Sequence, residues 1–193
     1  MTNEMRLFDD TGGRLYLTSE ERQAFYDAAI KESRNVRTFC HMLYYTGCRI
    51  SEALQLPFEK VDLSAQHVVL RTLKRRKQHF RAVPLPESYL DALNMVHGLQ
   101  EAHQNQQKEK LWPWTRQHAW YLIKGVMKNA DIDLAQPFAT PKGLRHSFGI
   151  HCVSKEVPLN EIQKLMGHAD IRTTAIYLDA VGDEKRALVS KTW

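Results

Sequence analysis

The spacing of apolar positions along the chain changes from helical to alternating and back again. Thr18-Ser-Glu-Glu21 places a threonine three residues before a glutamate, which predicts a capping box and a helix through about Ile30. Phe39, Met42, Leu43 and Thr46 predict a second helix, ended by Gly47. Ile50, Ala53 and Leu54 predict a short third, stopped by Pro57. Alternation then takes over: Val61–Leu63, His67–Thr72 and Phe80–Val83 predict three short strands, with Pro84 closing the last. Helical spacing returns over Glu87–Glu101, Arg116–Asn129, Pro141–Ser154, Leu159–Met166, Ile171–Leu178 and Asp183–Ser190, with Asp170 as an N-cap. Residues 1–14 are polar and contain glycine, and predict a loose lead-in. The fold class expected is mainly α with a small three-stranded antiparallel sheet (α+β), in one domain without internal repeat or linker.

Composition narrows the class without naming a function. A chain of 193 residues, 43% apolar and 25% charged, can bury one sizeable core. It contains no apolar run near the ~20 residues of a membrane span and no signal-peptide core after Met1, so a cytoplasmic protein with no membrane partner is expected. Cys40, Cys48 and Cys152 are odd in number and form no C-x-x-C pair, which predicts buried free thiols in a reducing compartment. Cysteine and histidine nowhere fall at metal-site spacing, so no metal is expected. The net charge of +5 is mild, but its distribution is not. Arg71, Lys74, Arg75, Arg76, Lys77 and Arg81 crowd together without an acid, at the tip and flanks of the predicted hairpin. Such a run serves either as a solvated turn or as a contact for phosphates.

Three further clusters carry chemistry. Thr46-Gly-Cys-Arg49-Ile-Ser-Glu52 puts an arginine at a helix start and an acid one turn on, where Glu52 orients Arg49. Lys142-Gly-Leu-Arg145-His146-Ser opens another helix. Gly167-His168 is followed after eight residues by Tyr177. Guanidinium presents a rigid fork of donors to phosphate oxygens and is always charged. A phenol with a pKa near ~10 becomes a nucleophile only when its charge is stabilised or its proton removed. Two arginines, a histidine, a lysine and a tyrosine gathered at one point therefore suit attack on a phosphodiester.

The order and spacing of these motifs closely resemble the catalytic domain of the tyrosine recombinases (the phage-integrase family), from about Leu17 to Leu178. The resemblance implies a fold like that of DNA breaking-rejoining enzymes. Tyr177 is then the nucleophile, Arg49 and Arg145 the phosphate clamp, and His168 a donor to the same phosphate. Lys142 stands where the family usually has histidine, with lysine as a recognised alternative, and acts as proton acceptor or as phosphate contact. The family's hairpin lysine, which protonates the departing 5′-oxygen, is assigned to Lys74, with Lys77 as the alternative. Arg71, Arg75, Arg76, Lys77 and Arg81 are expected to bind DNA, and Glu52 and His146 to stand behind the reacting groups.

The activity implied is a site-specific recombinase or integrase that cleaves and rejoins DNA through a 3′-phosphotyrosine, needing neither metal nor cofactor. The alternatives are relaxation of DNA in the manner of a type IB topoisomerase, or a catalytically silent DNA-binding regulator on the same scaffold. The partner expected is double-stranded DNA with paired inverted-repeat sites, bound by a tetramer, with accessory directionality or DNA-bending proteins and association with the nucleoid. Residues 1–16 are expected as a flexible lead-in and 17–193 as the catalytic domain, with the family's N-terminal core-binding domain absent. The segment after Tyr177, with Ala187, Leu188 and Val189, is expected to dock on a neighbouring protomer.

Overall fold

A computed structural model of the chain describes residues 6–73, 78–179 and 189–192. Helix α1 (Ser19–Ile30) begins at its capping box: Glu21 N donates to Thr18 Oγ1 at 3.2 Å, and Thr18 N donates to Glu21 Oε2 at 2.8 Å. Helix α2 (Arg34–Thr46) turns Phe39, Cys40, Met42 and Leu43 inward and ends where Gly47 N donates to Leu43 O at 2.9 Å. A single turn, α3 (Ile50–Ala53), follows.

After a 3₁₀ turn at Phe58–Lys60, strands β1 (Val61–Asp62), β2 (His67–Thr72) and β3 (His79–Pro84) form an antiparallel sheet in the order β1-β2-β3. Val68 pairs with Val83 and Leu70 with Arg81, all buried, while Arg71 pairs with Phe80 on the exposed face. Alternation along a strand thus places Thr72, Arg81 and Val83 on the inner face together.

The single helix expected over Glu87–Glu101 is two helices, α4 (Glu87–His97) and α5 (Leu99–Gln104), divided at Gly98. Helix α6 (Arg116–Asn129) is capped by Thr115. Helix α7 (Pro141–Ser154) is capped by Thr140, whose side chain accepts from Gly143 N at 3.1 Å. Helix α8 (Leu159–Met166) ends at Gly167, and α9 (Arg172–Ala175) passes into a 3₁₀ turn, Ile176–Asp179. The helix expected over Ile171–Leu178 is therefore one α turn and one 3₁₀ turn. Asp170 Oδ1 accepts from Arg172 N at 2.9 Å, close to the capping role expected of it. Of the helix expected over Asp183–Ser190, residues 183–188 lie outside the described residues, and a 3₁₀ turn runs Ser190–Thr192.

Two groups of buried side chains hold these elements together. The larger joins Phe25 of α1, Phe39 and Met42 of α2, Leu93 of α4, Ile123 and Met127 of α6, and the sheet residues Val68 and Leu70. Each large side chain so buried stabilises the fold by about 1.5–3 kcal/mol. The smaller group gathers Phe148, Ile150 and Val153 of α7, Ile162 and Met166 of α8, and Tyr177. Leu7 and Tyr16 belong to it as well, which corrects the expectation of a flexible lead-in. Residues 6–16 fold back on themselves, with Leu15 N donating to Leu7 O at 2.7 Å, and bury both side chains against the core behind Tyr177. All three cysteines are buried free thiols, and burial raises each above its ordinary pKa, Cys48 and Cys152 to about 11.

Candidate active site

The site forms where two helix ends meet one helix start. Arg145 projects from the second turn of α7 and donates from Nη1 to Gly47 O at 2.6 Å and from Nη2 to Met166 O at 2.7 Å. Those carbonyls close α2 and α8, where the helix dipole favours a cation. Gly47 fits this junction because its φ is 56° and because a Cβ there would lie 2.3 Å from the Phe148 ring. A buried guanidinium is costly to charge, and Arg145 is lowered to about 10, first by burial and then by Arg49.

Arg49 caps α3, and its Nη1 meets Glu52 Oε1 at 2.8 Å. The other oxygen of Glu52 takes Arg81 Nη2 at 2.6 Å, so one buried carboxylate binds two arginines. Burial pushes the Glu52 carboxyl up, but Arg81 and then Arg49 outweigh it and hold it below its usual value. Glu52, expected to orient Arg49, lies one turn on in α3 and is ion-paired to it.

Arg81 is a correction to the basic run. It was expected on a DNA-facing hairpin, yet it is buried on the inner face of β3. Besides Glu52 it donates to Thr72 Oγ1 at 2.8 Å and, from Nε, to Leu165 O at 2.8 Å. It therefore ties the sheet to α3 and to the end of α8. Arg71 is exposed on the outer face as expected. Lys74, Arg75, Arg76 and Lys77 lie outside the described residues.

His168 follows Gly167 at the end of α8 and is buried. Its Nδ1 lies 2.9 Å from Thr174 Oγ1, a partner the sequence reading passed over. Burial, then Arg145 and Arg49, lowers its pKa to about 3, so it is a neutral imidazole at pH ~7. The threonine hydroxyl can donate or accept, and where it donates to Nδ1 the Nε2–H is left to donate elsewhere. A cavity of about 400 Å³ lined by His79, Arg81, Gln163, Lys164 and Gly167 adjoins His168. Lys142 is exposed in the first turn of α7.

Tyr177 completes the set. Its side chain is fully buried, and its hydroxyl has no hydrogen-bond partner among the described residues. The ring lies 6.2 Å from that of His168, nearly parallel, and 5.9 Å from that of His146. Burial pushes the phenol up to about 12 even though Arg145 and Arg49 pull it down. A buried orphan hydroxyl costs about 1–3 kcal/mol, and a catalytic role is one of the reasons a folded chain keeps such a group. The structure thus brings Arg49, Arg145, His168 and Tyr177 together, with Glu52 and His146 behind them. Among the described residues no cluster of His, Cys, Asp or Glu is placed to hold a metal ion, and no helix is long and apolar enough to cross a membrane.

Known proteins share this arrangement of elements. Residues 15–183 match the sequence model of the phage integrase family. Tyrosine recombinase XerA of Thermococcus kodakarensis is 29% identical over 183 residues, which cover 91% of this chain and 61% of XerA. The crystal structure of XerA recombinase superposes with a TM-score of 0.77 at 23% identity, covering 93% of this chain and 65% of that one. The XerH site-specific recombinase bound to difH substrate, a pre-cleavage complex, gives 0.72 at 20% identity, covering 96% of this chain and 59% of that one. The chain thus spans less than two thirds of the length of each of these relatives. By its sequence match and by its fold, this chain belongs to the phage integrase family.

Proposed function

We propose that the chain is the catalytic part of a site-specific DNA recombinase, in which Tyr177 attacks a phosphodiester to form a 3′-phosphotyrosine. The observation that carries this reading is the buried, unpartnered hydroxyl of Tyr177 set among Arg49, Arg145 and His168. Each Nη of Arg49 and Arg145 that is bonded to the protein keeps a second N–H for a phosphate oxygen. Arg49 and Arg145 hold the non-bridging oxygens and neutralise the charge that grows in a pentacoordinate transition state. His168 donates to the same phosphate. The attack joins Tyr177 Oη to phosphorus, the phenolic proton passing to a neighbouring base, and releases a 5′-oxygen, which takes a proton from Lys74, or from Lys77 as the alternative. Rejoining follows when a 5′-hydroxyl attacks the phosphotyrosine. The bond energy stays in the covalent link, so the exchange calls for neither metal nor nucleotide.

The substrate proposed is double-stranded DNA with paired inverted repeats. The protein is a monomer in solution and a tetramer on paired sites, with accessory bending or directionality proteins and association with the nucleoid. Support comes from the XerH relative, solved on its difH substrate, and from the exposed Arg71 on the sheet.

A nicked suicide substrate tests the chemistry. The unaltered chain should give a protein–DNA band on a denaturing gel, and Tyr177→Phe should bind DNA without giving it. A band that survives in Tyr177→Phe removes the assignment. The hairpin lysine is tested with sulfur at the 5′ bridging position, which leaves readily without protonation. Lys74→Ala should cleave that substrate almost normally while failing on ordinary DNA. Rescue of Lys77→Ala instead moves the role to Lys77.

A further inference from the structure

His146 is a buried titratable group to which the mechanism above gives no task. It follows Arg145 on α7 and has no exposed surface. Neither Nδ1 nor Nε2 has a hydrogen-bond partner among the described residues. Leaving a buried polar group unsatisfied costs about 1–3 kcal/mol, and here the orphan imidazole faces an orphan phenol. The rings of His146 and Tyr177 meet edge to face with centroids 5.9 Å apart. Gly149, one turn further along α7, is what lets the phenol lie against this face. A Cβ at that position would sit 2.4 Å from Tyr177 Cε2 and 2.5 Å from Cζ. The helix backbone at Gly149 and the side chain of His146 therefore form one seat, holding an O–H donor beside an imidazole acceptor with water excluded.

We infer that His146 accepts the proton of Tyr177 during strand cleavage. The inference rests on the recombinase reading given above. As the bond from Tyr177 Oη to phosphorus forms and the bond to the 5′-oxygen breaks, the phenolic proton passes to a ring nitrogen of His146. The hairpin lysine meanwhile protonates the departing oxygen. On rejoining, the attacking 5′-hydroxyl gives its proton to that lysine, and His146 returns its own to Tyr177. No hydrogen bond joins the two side chains in the unliganded chain, and catalytic contacts of this kind commonly close only around substrate.

The groups facing His146 keep it neutral until a phosphate arrives. They are Lys142 and Arg145 on its own helix, Tyr177 on the 3₁₀ turn, and His168 beyond α8. Burial first, then Lys142 and Arg145, lower its pKa to about 3, so the imidazole stands ready in its accepting form. A phosphate bound to Arg145 offsets that cation and raises the proton affinity of His146 when the proton must move. Lys142 is exposed, and a lysine must lose a proton before it can take one. Its part is then to supply charge.

The test compares covalent attachment to the nicked substrate with two phenols at position 177. His146→Gln should lose about 10²–10⁴-fold in the rate of attachment, the range for general base catalysis. Incorporating difluorotyrosine at position 177, a more acidic phenol that needs less help to ionise, should restore most of that rate in the His146→Gln protein. A defect equally large with either phenol, or no defect at all, overturns the inference. Absence of attachment in the unaltered chain instead overturns the recombinase reading on which it rests. Thermal midpoints report whether His146→Gln folds. If it does not, ¹⁵N-histidine spectra of the unaltered chain on a half-site duplex with vanadate, a mimic of pentacoordinate phosphorus, replace it. Protons on both nitrogens of His146 support the inference, and a neutral imidazole overturns it.

Discussion

Arg81 and Tyr177 are both buried within the same site, yet one is fully engaged and the other is not. Arg81 reaches Glu52, Thr72 Oγ1 and Leu165 O, and through Glu52 it reaches Arg49. The hydroxyl of Tyr177 and both ring nitrogens of His146 bond to nothing among the described residues. The arginine frame therefore carries its geometry ready-made, while the niche around Tyr177 and His146 holds polar atoms without partners among the described residues. Preorganised cations cost no rearrangement when charge develops. Under the proposed function, the unsatisfied phenol is relieved when its oxygen bonds to phosphorus. The contrast separates residues whose loss should damage the fold from residues whose loss should damage only the reaction.

The sharpest separation is at Tyr177. Besides abolishing covalent attachment, Tyr177→Phe should leave stability unchanged or raise it, by about 1–3 kcal/mol at most, because it removes a buried group with no partner. A lower denaturation midpoint would show that the hydroxyl is bonded after all. On the other side, Glu52→Ala leaves Arg81 uncompensated in the interior and should destabilise by about 3–5 kcal/mol. Urea denaturation measures that loss, and a change under about 1 kcal/mol would mean the frame is not held by its carboxylate.

The niche should also respond to pH. His146 and His168 are each lowered from 6.5 to about 3 in the folded chain, with burial the main cause of both shifts. Because the folded values are depressed, the unfolded chain takes up protons first. Their stability contribution is complete above pH ~6.5 and is lost as pH falls toward ~3, by up to about 1.4 kcal/mol per histidine per pH unit. Denaturation midpoints followed from pH 7.5 to 5 should therefore fall, and a flat profile would place these imidazoles in contact with solvent. The smallest effect is expected at Arg71, on the outer face. Arg71→Ala should leave stability within about 0.5 kcal/mol while reducing the slope of log K against log salt for DNA by about 0.9.

Sequence reading went furthest where local pattern decides the structure. The bounds of α6, α7 and α8 follow from apolar spacing with Thr115, Thr140 and Gly167 at their ends, and the structure places them there. The site residues Arg49, Arg145, His168 and Tyr177 were legible in another way, through the resemblance of their motifs and spacing to the tyrosine recombinases. Features decided by distant contacts were harder to see. Leu7 and Tyr16 look like part of a polar lead-in because the partners that bury them, on α7 and α8, come more than a hundred residues later. Arg81 looks like one more member of a basic run. Its position two residues before Val83, and so on the same strand face, was the available sign that it points inward. Gly98 was passed over inside a continuous helical pattern, although its φ of 62° ends α4. Thr174 shares a helical face with Tyr177, but only the fold brings it to His168.

The central claim is that the unpartnered hydroxyl of Tyr177 is the atom that takes phosphorus. The most direct measurement traps the chain on a nicked duplex, digests DNA and protein, and sequences the surviving nucleotide–peptide by mass spectrometry. The expected product is a nucleotide joined through its 3′-phosphate to the tyrosine of the peptide containing Thr173-Thr174-Ala175-Ile176-Tyr177. A nucleotide on any other residue, or a 5′-phosphate linkage at Tyr177, would contradict it.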